Sequence, residues 1–112
     1  MKILLTGSSK GIGYDIAKTL IREGHDIALH YNKNKSPLHT LIENSKTNSY
    51  TIQSDLSDSS QVKDLVNNTI DKLSFPDCII NNAGIAESAD ISIDFERWNE
   101  LFDRTIDVNL KA

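Results

Sequence analysis

The stretch Lys2-Ile3-Leu4-Leu5-Thr6-Gly7-Ser8-Ser9-Lys10-Gly11-Ile12-Gly13 decides how this chain folds. Its first part is too continuously apolar for a half-exposed strand and reads as a strand buried on both faces, as in parallel sheets. Beyond the glycines, Ile12, Ile16, Ala17, Leu20 and Ile21 recur at helical spacing until Gly24, a residue type favoured just past a helix end. Strand, glycine turn and helix in this order suit a phosphate. Glycines let the backbone turn tightly and approach a pyrophosphate, and the unpaired N–H groups and dipole of the helix N-terminus favour its negative charge. The spacing is Gly-xxx-Gly-x-Gly. It lacks the Gly-Lys-[Ser/Thr] ending with which a nucleoside-triphosphate loop holds terminal phosphates and magnesium. Three glycines near a turn are by themselves weak evidence, and a tight strand-to-helix corner with no ligand is the alternative reading.

Outward from this stretch, apolar runs and amphipathic segments alternate. Asp26 to Asn32 reads as a second strand, and Ser36-Pro37 as an N-cap and first-turn proline opening a weaker helix over residues 37–46. Tyr50 to Ser54 makes a third strand. Ser57 is the expected cap of a long helix bearing Val62, Leu65, Val66, Ile70 and Leu73 on one face, which Pro76 ends. Cys78-Ile79-Ile80 is the core of a fourth strand, and a last helix runs from near Asp94 through Trp98, Leu101, Phe102 and Ile106 toward Leu110. Such alternation builds right-handed crossovers and a parallel sheet covered on both faces, so the expected class is α/β, doubly wound, in the order 3-2-1-4, as one domain over residues 1–112. No stop signal follows the last helix. The chain is therefore expected to be cut short there, leaving Cys78-Ile79-Ile80 as an apolar sheet edge and the helix partly uncovered.

Composition narrows the function. A chain of 112 residues with 38% hydrophobic and 25% charged residues is neither collagen-like, disordered nor a disulfide scaffold. The lone Cys78 allows no internal disulfide or cysteine cage, which favours a reducing compartment, the cytoplasm by default, and no metal. No apolar run approaches about 18 residues, and Ile3–Leu5 is too short for a signal-peptide core, so no membrane partner is expected. The net charge of −4 disfavours nucleic acid, although residues 1–48 carry +3 and residues 49–112 carry −7. The basic cluster Lys10, Lys33 and Lys35 has no stacking-aromatic platform beside it.

Three further segments bear chemistry. Asp55-Leu56 follows the third strand, where a carboxylate can accept from an adenine amino group or can serve as a plain loop acid. Asn81-Asn82-Ala83-Gly84 closes the fourth strand. Its small residues allow close backbone approach and its Asn side chains can tie strand ends, as would an ordinary turn. Asn109 lies eleven residues after Trp98, about 20° from a whole number of helical turns, so it shares the stripe of Trp98, Phe102 and Ile106 that should face the core. A buried amide must be hydrogen-bonded to backbone, water or a reacting group.

These segments together resemble the amino-terminal half of the short-chain dehydrogenase/reductase family, close to the bacterial 3-oxoacyl-carrier-protein reductases. The resemblance implies a Rossmann-type sheet, a nicotinamide cofactor across the carboxyl ends of the strands, and hydride transfer between the cofactor and a small carbonyl or alcohol substrate. By that resemblance, Thr6, Gly7, Ser9, Lys10, Gly11, Ile12 and Gly13 hold the pyrophosphate, Asp55 and Leu56 meet the adenine, and Asn82, Ala83 and Gly84 lie near a ribose. Asn109 would hold a water in a proton relay to the catalytic lysine. NADP is expected over NAD, because the end of the second strand, His30-Tyr31-Asn32-Lys33, offers no acid to a ribose 2′-hydroxyl, while Lys33 and Lys10 could approach a 2′-phosphate. The family's catalytic Ser and Tyr-xxx-Lys pair belong after the next strand. None of Tyr14, Tyr31 and Tyr50 is expected to replace that tyrosine, so residues 1–112 alone are expected to be inactive. A homo-oligomer paired through the last helix is expected of the complete protein. A stand-alone nucleotide-binding or interaction module is the second reading.

Overall fold

The computed structural model describes residues 1–112. Four strands, β1 (Lys2–Leu5), β2 (Asp26–Tyr31), β3 (Tyr50–Gln53) and β4 (Cys78–Ile80), alternate with helices α1 (Gly11–Arg22), α2 (Ser36–Glu43), α3 (Ser59–Leu73) and α4 (Phe95–Ile106). A π-helical turn, Asp107–Lys111, continues α4. All strand pairs are parallel, in the order β3-β2-β1-β4, with Leu4 opposite both Ala28 and Ile79. The strand order reverses between β1 and β4, which places the switch point of the sheet directly beyond Leu5.

Strand pleating separates two cores. Ile3, Leu5, Ile27 and Leu29 point to one face, where Ala17 of α1 and Leu38 of α2 cover them. Leu4, Ala28 and Ile52 point to the other and meet Leu56 and the α3 residues Leu65 and Leu73. A continuous apolar run such as Ile3-Leu4-Leu5 is what a strand covered on both faces requires. No helix is long and apolar enough to cross a membrane.

Helix starts differ from the sequence reading by one residue, with visible causes. Ser57 does not cap α3, because its N–H and hydroxyl are both held by Asp55 Oδ1 at 2.9 and 2.7 Å. The cap passes to Asp58, which accepts from Ser60 N–H at 2.9 Å. Likewise Asn34 Oδ1 accepts from Ser36 N–H at 3.1 Å, so α2 starts at Ser36, with Lys35 as its N-cap. Val66, placed by periodicity on the buried face of α3, is exposed.

The largest departure is α4. Helical spacing directs Trp98, Phe102, Ile106 and Asn109 toward the core, yet α4 buries no residue; Trp98 is 46% and Phe102 49% exposed, and Asn109 is also on the surface. Periodicity gives α4 an apolar face, but no part of the sheet lies beneath it. The radius of gyration is 15.3 Å, against about 13 Å for a compact chain of this length. Beyond Ile106 the helix widens to a π-turn, which shifts Asn109 off the stripe that 3.6-residue spacing projects.

Candidate functional site

A cleft of about 610 Å³ opens beyond the carboxyl ends of the strands, where open α/β sheets bind ligands. The glycine turn forms its floor. Gly7 and Gly11 have φ of +67° and +53°, a region that favours glycine. At Gly13 the need is spatial, since a Cβ would collide with Gly7 O and Asn82 Nδ2. Tyr14 N–H makes the first helical bond of α1, to Lys10 O at 3.3 Å, so the N–H groups of Gly11, Ile12 and Gly13 are the unpaired donors of the helix N-terminus. Ser9, Lys10, Gly11, Ile12 and Gly13 all line the cleft. Ile12 is therefore a cleft residue at 76% exposure, and the buried face of α1 begins at Gly13.

Thr6 lies beneath the cleft, not in its wall. Its Oγ1 accepts from Asn82 N–H at 3.1 Å and Ala83 N–H at 3.0 Å and donates to Ile80 O at 3.4 Å. Asn82 Nδ2 answers by donating to Thr6 O at 2.9 Å and Gly7 O at 3.1 Å. These bonds dock the turn after β4 onto the turn after β1, and bring Asn82, Ala83 and Gly84 into the wall opposite the glycines. A Cβ on Gly7 would come within 2.8 Å of Ala83 Cα, so this approach needs glycine.

Asp55 and Leu56 line the same cleft. Hydrogen bonds from the Ser57 hydroxyl and N–H hold the Asp55 carboxyl below the usual carboxylate range, and Arg104 adds a smaller attraction. Only Oδ1 is engaged by Ser57. Oδ2 remains an ionised acceptor at the cleft wall. Asn32 and Lys33 also line the cleft, at the exit of β2.

Sequence reasoning missed His30, Asn34, Ile85, Arg104 and Val108, which complete the lining. Arg104 lies on the polar side of α4 and pairs with Glu87 at 3.1 Å, so no sequence signal separated it from other helical surface charges. His30 could have been found as the one polar residue in the run Ile27-Ala28-Leu29-His30. It is 3% exposed, and burial pulls its imidazole below the ordinary histidine range, with partial opposition from the Ser54 carbonyl and Asp55. Asn109 is outside the cleft wall. Its Nδ2 donates to Ile85 O at 2.9 Å and its Oδ1 accepts from Ile85 N–H at 2.8 Å, which fixes the loop carrying Gly84. Tyr14 with Lys18 and Tyr31 with Lys35 have Tyr-xxx-Lys spacing, and none of the four lines the cleft. Lys18 Nζ lies 5.1 Å from the Tyr14 ring centroid and 2.7 Å from Asp15 on the outer surface of α1.

Fold and cleft define a doubly wound α/β protein with its pocket at the topological switch point. A family model described as short chain dehydrogenase matches residues 1–112. The 3-oxoacyl-[acyl-carrier-protein] reductase FabG of Staphylococcus aureus is 31% identical over 113 residues, covering 97% of this chain and 44% of that protein. A short chain dehydrogenase from Burkholderia cenocepacia, solved in complex with NADP, is 30% identical with a TM-score of 0.84, covering 97% of this chain and 44% of the other. A blue fluorescent protein from a metagenomic library, in complex with NADPH, is 27% identical with a TM-score of 0.82, covering 98% and 45%. The chain belongs to the short-chain dehydrogenase/reductase family. It spans less than half the length of the curated relatives it matches.

Proposed function

We propose that residues 1–112 form the cofactor-binding domain of an NADP-preferring oxidoreductase that interconverts a carbonyl and an alcohol, with 3-oxoacyl thioesters as the leading substrate class. One observation carries this reading: the glycine turn, the Asp55-Leu56 turn and the Asn82-Ala83-Gly84 turn meet in a single cleft of about 610 Å³. Its donor set fits a dinucleotide. The unpaired N–H groups of Gly11 to Gly13 and the Lys10 ammonium would meet the pyrophosphate, with Ser9 beside them. Asp55 Oδ2, held ionised, would accept from the adenine amino group beside Leu56. Lys33 and Asn32 would take the 2′-phosphate, since no carboxylate at the end of β2 would repel it. When bound, the nicotinamide supplies or accepts the hydride.

The protein's own share of the chemistry is positional. The Thr6–Asn82 bonds and the Asn109–Ile85 pair hold the wall against which a ribose would lie, and Asn109 retains one amide proton and one lone pair for a water. The family's proton donor is not among residues 1–112 by the resemblance, and general acid catalysis typically contributes 10²–10⁴-fold. A polypeptide of residues 1–112 by itself is accordingly proposed to bind cofactor without rapid turnover. The relatives named above, two of them solved with NADP or NADPH, support the cofactor class. A cytoplasmic location and pairing of complete copies through α4 belong to the same proposal.

The test is a fluorescence titration of the protein with NADPH and with NADH. Saturable binding that favours NADPH is the expected result. Absence of binding to both, by a chain whose circular dichroism shows it folded, would sink the reading.

A further inference from the structure

We infer that His30 is a positioning residue for the cofactor: fixed as the neutral Nε2–H tautomer, its ring joins the glycine turn to the Asp55 turn and so sets the spacing of the two ends of the cleft. The inference rests on the dinucleotide reading above. Its geometry is independent of that reading. β2 lies between β1 and β3, and His30 sits one residue before its end. β1 stops at Leu5 and β3 at Gln53, and past those ends the imidazole adds a direct link between Gly7 and Ser54 to the main-chain bonds that continue there. Gly7 N–H donates to His30 Nδ1 at 3.0 Å, which requires a bare lone pair on that nitrogen. The proton is therefore on Nε2, from which it is donated to Ser54 O at 3.1 Å. The main chain adds to the clamp. Ser8 N–H and Oγ both donate to His30 O at 2.9 and 2.8 Å, and Ser54 N–H donates to Tyr31 O at 3.1 Å.

Protonation of Nδ1 would set an N–H against the Gly7 N–H and break the link on the glycine side. The charges facing the ring are few. Asp55 from the turn after β3 favours the proton, Lys10 from the glycine turn, Lys33 after β2 and Arg104 from α4 line the same cleft, and β1 contributes only Leu5 and Thr6. Burial outweighs Asp55 and keeps the ring neutral. A turn populated in its binding geometry only while Nδ1 is bare lowers apparent affinity by the fraction of molecules that lose it.

Two measurements test this. Nitrogen-15 NMR of the imidazole should show the Nε2–H tautomer, still neutral as pH falls through about 6.5, where an unperturbed ring titrates. NADPH titrations of the protein, His30→Leu and His30→Asn should then separate positioning from packing. His30→Leu leaves Gly7 N–H and Ser54 O without partners and should bind roughly tenfold more weakly near pH 7.5. His30→Asn, whose new side-chain carbonyl can accept from Gly7 N–H, should recover most of that loss and should lack the acid limb, lying below about pH 6.5, that the histidine protein shows. The 2′-phosphate of NADPH titrates in this range too, so the reading is the difference between the two proteins. An Nδ1–H or cationic ring near neutral pH, or identical pH profiles for the unaltered protein and His30→Asn, overturns the inference. Should His30→Leu not fold, the comparison with His30→Asn still decides. No NADPH binding by the unaltered protein defeats the cofactor reading and this role together, whereas binding that neither variant changes defeats this role alone.

Discussion

Asn109 and Ile85 hold one another through a two-bond ring, in which the side-chain amide of Asn109 both donates to the Ile85 carbonyl at 2.9 Å and accepts from the Ile85 N–H at 2.8 Å. The pair joins the π-turn after α4 to the loop after β4. Gly84, next to Ile85, is in the cleft wall, and a Cβ there would sit 3.6 Å from Asn109 Oδ1. The amide thus shapes the cleft edge from outside.

Replacing Asn109 by Leu should therefore do more than remove a water ligand. Both bonds to Ile85 are lost, at about 0.5–1.5 kcal/mol each and toward the low end for so exposed a pair. Hydrogen exchange at the Ile85 amide should speed up, and NADPH affinity should fall. Unchanged exchange at Ile85 would show that the loop is held by something else.

Gly13→Ala tests the cradle directly. The added methyl meets the Gly7 carbonyl and the Asn82 amide, the first of which is backbone and cannot swing away. Overpacking of this kind costs about 1–3 kcal/mol. The midpoint of thermal unfolding should drop and NADPH binding should be lost. Gly24→Ala is the control, since its Cβ would meet nothing within 4 Å and its φ of +82° makes the change only a backbone strain. It should lower stability and spare binding; equal effects of the two on binding would contradict the cradle.

The sheet and the glycine turn were legible because their signals are local. Ile3-Leu4-Leu5 can be apolar throughout only if both faces are covered, and a strand, a glycine turn and an amphipathic helix fix each other's positions within about twenty residues. The α4 face was not legible in the same way. Spacing showed that Trp98 and Phe102 share a side of a helix, but what covers that side is set by elements far away in sequence, and none lies there. Caps were uncertain for a third reason. Ser57 and Asp58 are both good cap residues, and only the prior claim of Asp55 on Ser57 decides between them. His30 could have been suspected from its place in an apolar strand, but its partners Gly7 and Ser54 are identified only once β1 and β3 flank β2.

Lys33→Glu should reverse the cofactor preference. Lys33 is exposed at the cleft rim, so its attraction for a phosphate is screened, and a loss of about tenfold in NADPH affinity is the scale to look for in low salt. NADH affinity should hold or rise, because the new carboxylate can accept from a ribose 2′-hydroxyl. Parallel losses for both cofactors would assign Lys33 to general stability.

Asp58 gives α3 a pH signature. The Ser60 hydroxyl, the Gln61 side chain and the Ser60 N–H lower its carboxyl from 3.8 to about 2. A carboxylate whose folded value lies below its unfolded one contributes stability that is complete above about 3.8 and disappears as pH falls through about 2. The stability gap between the protein and Asp58→Ala, measured by urea unfolding, should be level from neutral pH to about 4 and narrow below it. A gap that stays constant into that range would mean the cap acts without its charge.

Within residues 1–112 two apolar surfaces are uncovered, and they should make a polypeptide of these residues alone associate. On α4, Phe95 stacks on Trp98 at 6.3 Å between ring centroids, and Trp98 on Phe102 at 5.3 Å, and all three are exposed. Ile91 is fully exposed beside them, and Ile91, Ile93, Phe95 and Trp98 border a second, shallow apolar depression. At the sheet edge, β4 pairs only with β1 and carries the exposed Ile79, so its outer N–H and C=O groups are free to pair with another strand. Covering one large apolar side chain is worth roughly 1.5–3 kcal/mol, which is a sizeable part of the total stability of about 5–15 kcal/mol available to a domain. Association should set in at micromolar concentration, and light scattering should show species larger than a monomer. Trp98→Glu with Phe102→Glu should shift the distribution toward monomer if the α4 face is the contact, whereas Ile79→Lys should do so if the β4 edge is. NADPH, which is proposed to bind in the cleft and to touch neither surface, should raise the thermal midpoint in each variant alike. A monodisperse monomer at every concentration would show that neither surface drives association.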